Sequence, residues 1–226
     1  MPGSRPICAI GLCCLLLGGC VETSGKAPAS HAPQTYVVQP HDTLYSIAWR
    51  HDLDYRDLAR WNNIGVDFRI SVGQVLVLAP RTVPAHLTKP AAPAPVTAGS
   101  RAHIPGAAAW VWPTDRLGAP RPVPMGGILF TGRLGQDVRA ANAGRVVYAG
   151  SGLRAYGNLI IIKHADNLLS AYAHNREMLV HDGEEVAAGQ VIAHVGEGVG
   201  AHPSPVLYFE IRQNGKPIDP LPFFKE

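Results

Sequence analysis

The sequence predicts a multi-domain chain in which a small α+β module of strand–helix–helix–strand order precedes an all-β domain. Three observations predict it. Two stretches with neither helical nor strand periodicity, residues 20–34 and 81–107, divide the 226-residue chain. Residues 35–80 place two helix-capping signals between two short β-rich runs. From residue 108 onward, short β-rich runs alternate with glycine turns and helix signals almost vanish.

At the N-terminus, Arg5 precedes an apolar run from Ile7 to Leu17 that is too short to span a bilayer as a mature helix. Residues 1–19 therefore read as a secretory signal peptide. The run closes on Leu17-Gly18-Gly19-Cys20, which resembles the lipobox of bacterial lipoproteins, in which small residues fit the signal-peptidase cleft and the cysteine thiol receives lipid. Cys8, Cys13 and Cys14 leave with the signal, so the mature chain keeps only an alkylated Cys20 and can form neither a disulfide nor a cysteine-ligated metal site. At about 0.8 kcal/mol per buried CH₂, a multi-chain anchor is effectively permanent. Val21, in place of an aspartate, resembles lipoproteins sorted to the outer membrane, with the chain facing the periplasm.

The formal charge of +3 is not a patch. Residues 35–80 carry four basic and five acidic side chains, and residues 106–226 carry eleven of each. That balance argues against a nucleic-acid partner or an anionic-membrane footprint. Residues 20–34 form a polar tether. The second spacer, 81–107, holds Pro84, Pro90, Pro93 and Pro95. About 25 semi-extended residues at ~3.1 Å each reach on the order of 80 Å, so independent domains are expected.

Within the first module, Tyr36-Val37-Val38 reads as a strand, and Asp42 or Thr43 caps a helix with Leu44, Ile47 and Ala48 on one face. Asp54 caps a second helix carrying Leu58 and, near its end, Trp61, and Gly73-Gln74 turns into the strand Val75 to Leu78. The pattern Val38-x-x-His41-Asp42-Thr43-Leu44-x-x-Ile47-Ala48, Leu58-x-x-x-Asn62 and Gly73-Gln74-x-Leu76 resembles the LysM module. That resemblance implies binding of peptidoglycan glycan strands between two loops, with Asp42, Thr43, Leu44, Asn62 and Ile64 as candidate contacts. Asp42, Thr43 and Asn62 also suit capping and turn chemistry. His41 departs from the family, which usually has glycine there.

Residues 108–226 supply β-rich runs at Gly127 to Thr131, Asp137 to Ala140, Arg145 to Ala149, Leu159 to His164, Leu168 to Ala173, Gln190 to His194 and Val206 to Arg212. Asn214-Gly215 is a strong hairpin turn and Ala143-Gly144 a plausible one. The stretches Gly157-Asn158-Leu159-Ile160-Ile161-Ile162-Lys163-His164, Ala171-Tyr172-Ala173-His174-Asn175 and Leu207-Tyr208-Phe209-Glu210-Ile211-Arg212 resemble the core strands of LytM-type, lysostaphin-like metallopeptidases.

Such hydrolases use a His-x-x-x-Asp pair, a histidine ending a Tyr-Ala-His strand and a His-x-His. Aligned by glycine spacing, the first pair falls on Met125 and Leu129 and the His-x-His on Val206 and Tyr208. A catalytic zinc needs three protein ligands with available lone pairs. Valine and leucine have none, a thioether is a poor zinc ligand and a tyrosine phenol stays protonated at neutral pH. Only His174 remains, and His164, His181 and His202 form no metal-binding pair with it. The domain is expected to be metal-free and non-catalytic, with no cofactor.

The order of lipobox, LysM and degenerate LytM domain resembles the NlpD-type murein hydrolase activators across the mature chain. The resemblance implies activation of a periplasmic N-acetylmuramoyl-L-alanine amidase during wall remodelling and daughter-cell separation. It also implies a degenerate groove that contacts the amidase, with Leu129, Tyr156, Asn158, His174 and Tyr208 as candidate groove residues. Leu129 and Tyr208 can equally fill the space a metal would take, and Tyr156 and Asn158 can serve the local turn. A zinc endopeptidase with atypical ligands and a structural wall-to-membrane tether remain open alternatives.

Overall fold

The computed structural model describes residues 34–79, 110–124, 126–198 and 204–224. Cys20, both spacers, Met125 and His202 lie outside them. The first lobe follows the predicted order, with β1 (Thr35–Val37), α1 (Leu44–Arg50), α2 (Tyr55–Trp61) and β2 (Val75–Val77). β1 and β2 pair antiparallel with Tyr36 opposite Leu76. Thr43, not Asp42, caps α1 in a reciprocal capping box: its hydroxyl accepts from the Ser46 amide at 3.1 Å, and the Ser46 hydroxyl accepts from the Thr43 amide at 3.0 Å. Asp54 caps α2 by accepting from the Arg56 amide at 2.8 Å. The glycine departure at His41 has a backbone reason, because φ is 67° there, a left-handed conformation that costs a side chain energy.

The second lobe is all β. Its strands are β3 (Arg121–Pro122), β4 (Ile128–Thr131), β5 (Asp137–Arg139), β6 (Gly144–Gly150), β7 (Asn158–Lys163), β8 (Leu168–Met178), β9 (Glu185–Val186), β10 (Val191–Glu197), β11 (Pro205–Gln213) and β12 (Lys216–Ile218). They form one sheet in the order β3-β4-β11-β10-β8-β7-β6-β9, with β12 on β11, β5 on β10 and a further β11–β8 pairing. Asn214 and Gly215, with φ of 51° and 75°, make the tight turn between β11 and β12 that the sequence predicts. Ala143-Gly144 does not close a hairpin, since β5 pairs with β10 and β6 with β7 and β9. Gly144 instead lets β6 approach β7 closely: a Cβ there would stand 2.4 Å from the Lys163 carbonyl oxygen. β3, β9 and β12 are strands that the sequence pattern does not indicate.

Side chains alternate across the sheet, and the two faces bury differently. Ile128, Phe130, Ile160, Ile162, Tyr172, Leu207, Phe209 and Ile211 join Trp110, Phe223 and Phe224 in a core belonging wholly to this lobe. On the other face, Leu159, Ile161, Ala171, Ala173 and Tyr208 share a second apolar cluster with Leu44, Tyr45, Trp49 and Leu58 of the first lobe. The expectation of independent domains on a spacer is therefore corrected: the two lobes lie in one compact unit. The physical cause is α1, in which every residue from Leu44 to Trp49 is buried. A helix buried on all sides needs a partner on both sides. One side meets its own lobe and the other the sheet.

Candidate functional site

Three neighbouring strands bring the degenerate positions level. In the register of the sheet, Tyr208 of β11 stands opposite Leu129 of β4 on one side and Ala173 of β8 on the other. His174 follows with φ of 64°, and its backbone N–H donates to the Tyr156 carbonyl at 2.9 Å, tying the β6–β7 connection to β8. The rings of Trp49, Tyr156, Tyr208 and His174 run in sequence, with centroids 6.5, 5.6 and 6.2 Å apart. The fold thus assembles Leu129, Tyr156, His174 and Tyr208 in one place. Asn158 has a structural task beside them: its side-chain amide donates to the Asn175 and Arg176 carbonyls at 3.1 and 3.2 Å, and the Asn175 side chain donates back to the Asn158 carbonyl at 3.0 Å.

The donors present do not fit zinc. Burial pushes the His174 imidazole below its ordinary pKa and leaves Nδ1 without a hydrogen-bond partner. The side chains level with it on β4, β8 and β11 are Leu129, Ala173 and Tyr208. The Tyr208 hydroxyl is already committed, donating to the Glu210 carboxylate and lying 3.0 Å from the Gly126 carbonyl. Burial and the Glu210 charge push that phenol far above its ordinary pKa, so it stays neutral and supplies no phenolate. Val206, at the other matching position, is buried hydrocarbon. One imidazole nitrogen is short of the three donors that a catalytic zinc requires. Among the described residues no three His, Cys, Asp or Glu side chains converge.

His164 and His181 have other partners. His164 sits between the Ala143 carbonyl, 2.8 Å from Nδ1, and the Ser170 hydroxyl, 2.7 Å from Nε2, and burial lowers its pKa to about 4. His181 pairs with Glu184 at the surface.

Beside the groove lies a charged pair that sequence reasoning did not single out. Glu210 is fully buried, and the Arg212 Nε donates to it at 2.6 Å. Arg212 then reaches the first lobe: Nη1 donates to the Trp49 carbonyl at 3.0 Å and pairs with Asp52 at 3.0 Å, while the guanidinium lies 3.9 Å from the Trp49 ring centroid. Arg56 adds a 2.6 Å bond to Asn214, and a Cβ on Gly215 would stand 2.5 Å from the Asp54 amide nitrogen. The signal for this seam was in the sequence, as two charges alternating with apolar residues on β11 and as aromatic Tyr45 and Trp49 on the outer side of α1.

In the first lobe, Asp42 accepts from the Tyr36 hydroxyl at 2.7 Å and the Gln39 amide at 2.8 Å, and pairs with Arg50. Asn62 bonds the Leu58 carbonyl and both backbone groups of Val77. Leu44 is fully buried, and Ile64 packs against the shared cluster. Thr43, Asp42 and Asn62 therefore shape the two loops, and Leu44 offers no surface to a ligand in this arrangement.

Residues 124–220 match the peptidase family M23, and residues 36–79 match the LysM domain. A lipoprotein NlpD/LppB homolog of Pseudomonas aeruginosa PAO1 is 38% identical over 264 residues, covering 93% of this chain and 88% of that protein. The chain belongs to the NlpD lipoprotein family. Within reach of the same family, the uncharacterized lipoprotein YgeR of Escherichia coli K12 is 38% identical over 92% of this chain and 87% of its own length. The murein hydrolase activator NlpD of Escherichia coli K12 is 35% identical, covering 89% of this chain and 71% of that protein. The NlpD family membership joins a LysM lobe to an M23 lobe, and the relatives are named lipoproteins and activators of murein hydrolases.

Proposed function

We propose that this NlpD-family chain is a lipid-anchored, peptidoglycan-binding activator of a periplasmic N-acetylmuramoyl-L-alanine amidase and does not itself cut the wall. The observation that carries the reading is the side-chain set at the level where an M23 hydrolase holds its metal: Leu129, Ala173 and Tyr208 flank a lone His174. A groove with aromatic and aliphatic walls and no metal donors is suited to holding a protein segment. Cys20 would carry the lipid and place the chain at the outer membrane. Glycan strands would lie between the loop that Asp42 and Thr43 shape and the one that Asn62 shapes, with Ile64 at its border. Leu44 would act there only by packing. Activation requires that the chain bind the working conformation of the amidase more tightly than the resting one.

Dye release from labelled sacculi tests this. The chain without its signal and Cys20 is assayed alone, beside the organism's amidase alone, and with both together. Release above the amidase baseline only in the mixture is the expected result. Chelator-sensitive release by the chain alone would make it a hydrolase, and no effect in any mixture would make it a tether.

A further inference from the structure

β6 and β7 pair in a register that sets Arg145 directly opposite Lys163. Two like charges facing each other across a strand pair cost stability, so the pair calls for an anion. Neither cation has a strong one within the chain. Lys163 joins none of the ion pairs among the described residues, and its ammonium rests instead 5.5 Å from the ring centroids of both Tyr55 and Phe68. Arg145 has Glu185 of β9 at 3.9 Å, a loose contact between two exposed side chains that is worth little.

The two cations line a cleft of about 600 Å³ whose opposite wall is Tyr45 of α1 and Val66 to Arg69, from the loop that joins α2 to β2. Phe68 meets Tyr45 and Tyr55 edge-on, with centroids 5.7 and 5.1 Å apart, so an aromatic wall faces the charges. The carboxylates at the rim are already committed. Asp67 pairs with Arg69 at 3.6 Å, and Asp182 accepts from the Ala149 amide. Unpaired cations beside aromatic rings suit a ligand that combines carboxylates with short apolar side chains. The loop on the far wall is also the one that Asn62 shapes, so a branch hanging from a glycan strand bound at that loop has this cleft beside it.

We propose that the cleft is a subsite for an acidic peptide, the stem peptide that the wall polymer carries as a branch, with Arg145 and Lys163 holding a carboxylate and the Tyr45 and Phe68 rings holding alanine methyl groups. The guanidinium holds a carboxylate through paired N–H donors, and the ammonium adds a donor from the neighbouring strand. The chain thereby distinguishes glycan that still carries its peptides, the substrate of an amidase, from glycan already stripped of them. The identity of the ligand as a wall peptide rests on the glycan-binding reading above; the anion site rests on the opposed cations.

The test measures by calorimetry how the mature chain without its signal and Cys20 binds a short glycan bearing its stem peptides, the same glycan stripped of them, and the free stem peptide. The peptide-bearing glycan should bind about tenfold more tightly than the stripped one, the size of one charge-assisted hydrogen bond, and the excess should shrink as salt rises. Arg145→Gln and Lys163→Gln should each remove most of that preference while leaving affinity for the stripped glycan unchanged, and Lys163→Arg should keep it. An unchanged melting temperature shows that each variant is folded, and competition by the free peptide in the wild type needs no variant at all. Equal affinity for the two glycans, or a preference that both glutamine variants retain, overturns the subsite and leaves the glycan reading standing. Free peptide bound by the wild type and lost in both variants, with no binding of stripped glycan, keeps the subsite and overturns the glycan reading. Binding of phosphatidylglycerol vesicles that the same substitutions abolish, with no preference for peptide, assigns the cations to a membrane surface and overturns the proposal.

Discussion

On one side of β11, Leu207, Phe209 and Ile211 pack into a core made of the sheet lobe's own residues; on the other side of the same strand, Tyr208, Glu210 and Arg212 meet another lobe. The first surface is nearly all hydrocarbon. The second has a phenol, a carboxylate and a guanidinium that satisfy one another before anything docks on them. A core within one lobe can be closed by hydrocarbon alone, whereas a seam between two lobes also has backbone and charged groups of the other lobe to satisfy. The comparison teaches that polar chemistry distinguishes the face that meets another lobe from the face that packs within its own.

The sharpest break of that comparison comes from the core face. Phe209 is fully buried, and Phe209→Ala should cost about 3–5 kcal/mol, unfolding the sheet lobe as a unit in urea titration. A cost under about 1 kcal/mol would mean that this face is as yielding as the covered one.

Acid probes the core face next. His164 is buried neutral on that side, between Ala143 and Ser170, with the Ser170 hydroxyl donating onward to Tyr172 in the same network. Its folded pKa of about 4 lies below the ordinary 6.5, so protons bind the unfolded chain first. Stability is therefore intact above about pH 6.5 and falls as pH drops toward 4, by about 3 kcal/mol in all. Urea midpoints measured across that range should show the loss, and His164→Gln should flatten most of it.

The smallest effect lies in the lobe that does the covering. His41 holds φ of 67° at an exposed turn, so His41→Gly should stabilise the LysM lobe by up to about 1 kcal/mol and raise its melting temperature while leaving the sheet lobe unchanged. A loss of stability would show that the His41 side chain does more than its backbone suggests.

Much of the fold was legible. Four consecutive apolar residues, Leu159 to Ile162, announce a strand buried on both faces, and β7 is that strand. Thr43, Asp54 and Asn214-Gly215 act as local chemistry dictates. Two-residue strands such as Arg121–Pro122 leave no period to read, and β8 runs past Ala173 to Met178 because tertiary pairing with β10 carries it through a left-handed His174. Within the groove, the level placement of Leu129, His174 and Tyr208 followed from matching glycines to a known family. The seam did not follow, because α1 was read for the one face that served its own lobe, and Tyr45 and Trp49 on its other face carried the missing message.

Covalent continuity between the lobes changes what their contact means. A domain held on the same chain acts at an effective concentration on the order of millimolar, whatever the amount of protein present. Dilution therefore cannot lift α1 from the sheet. The contact between the lobes is therefore a property of the chain's own length and seam rather than of its concentration.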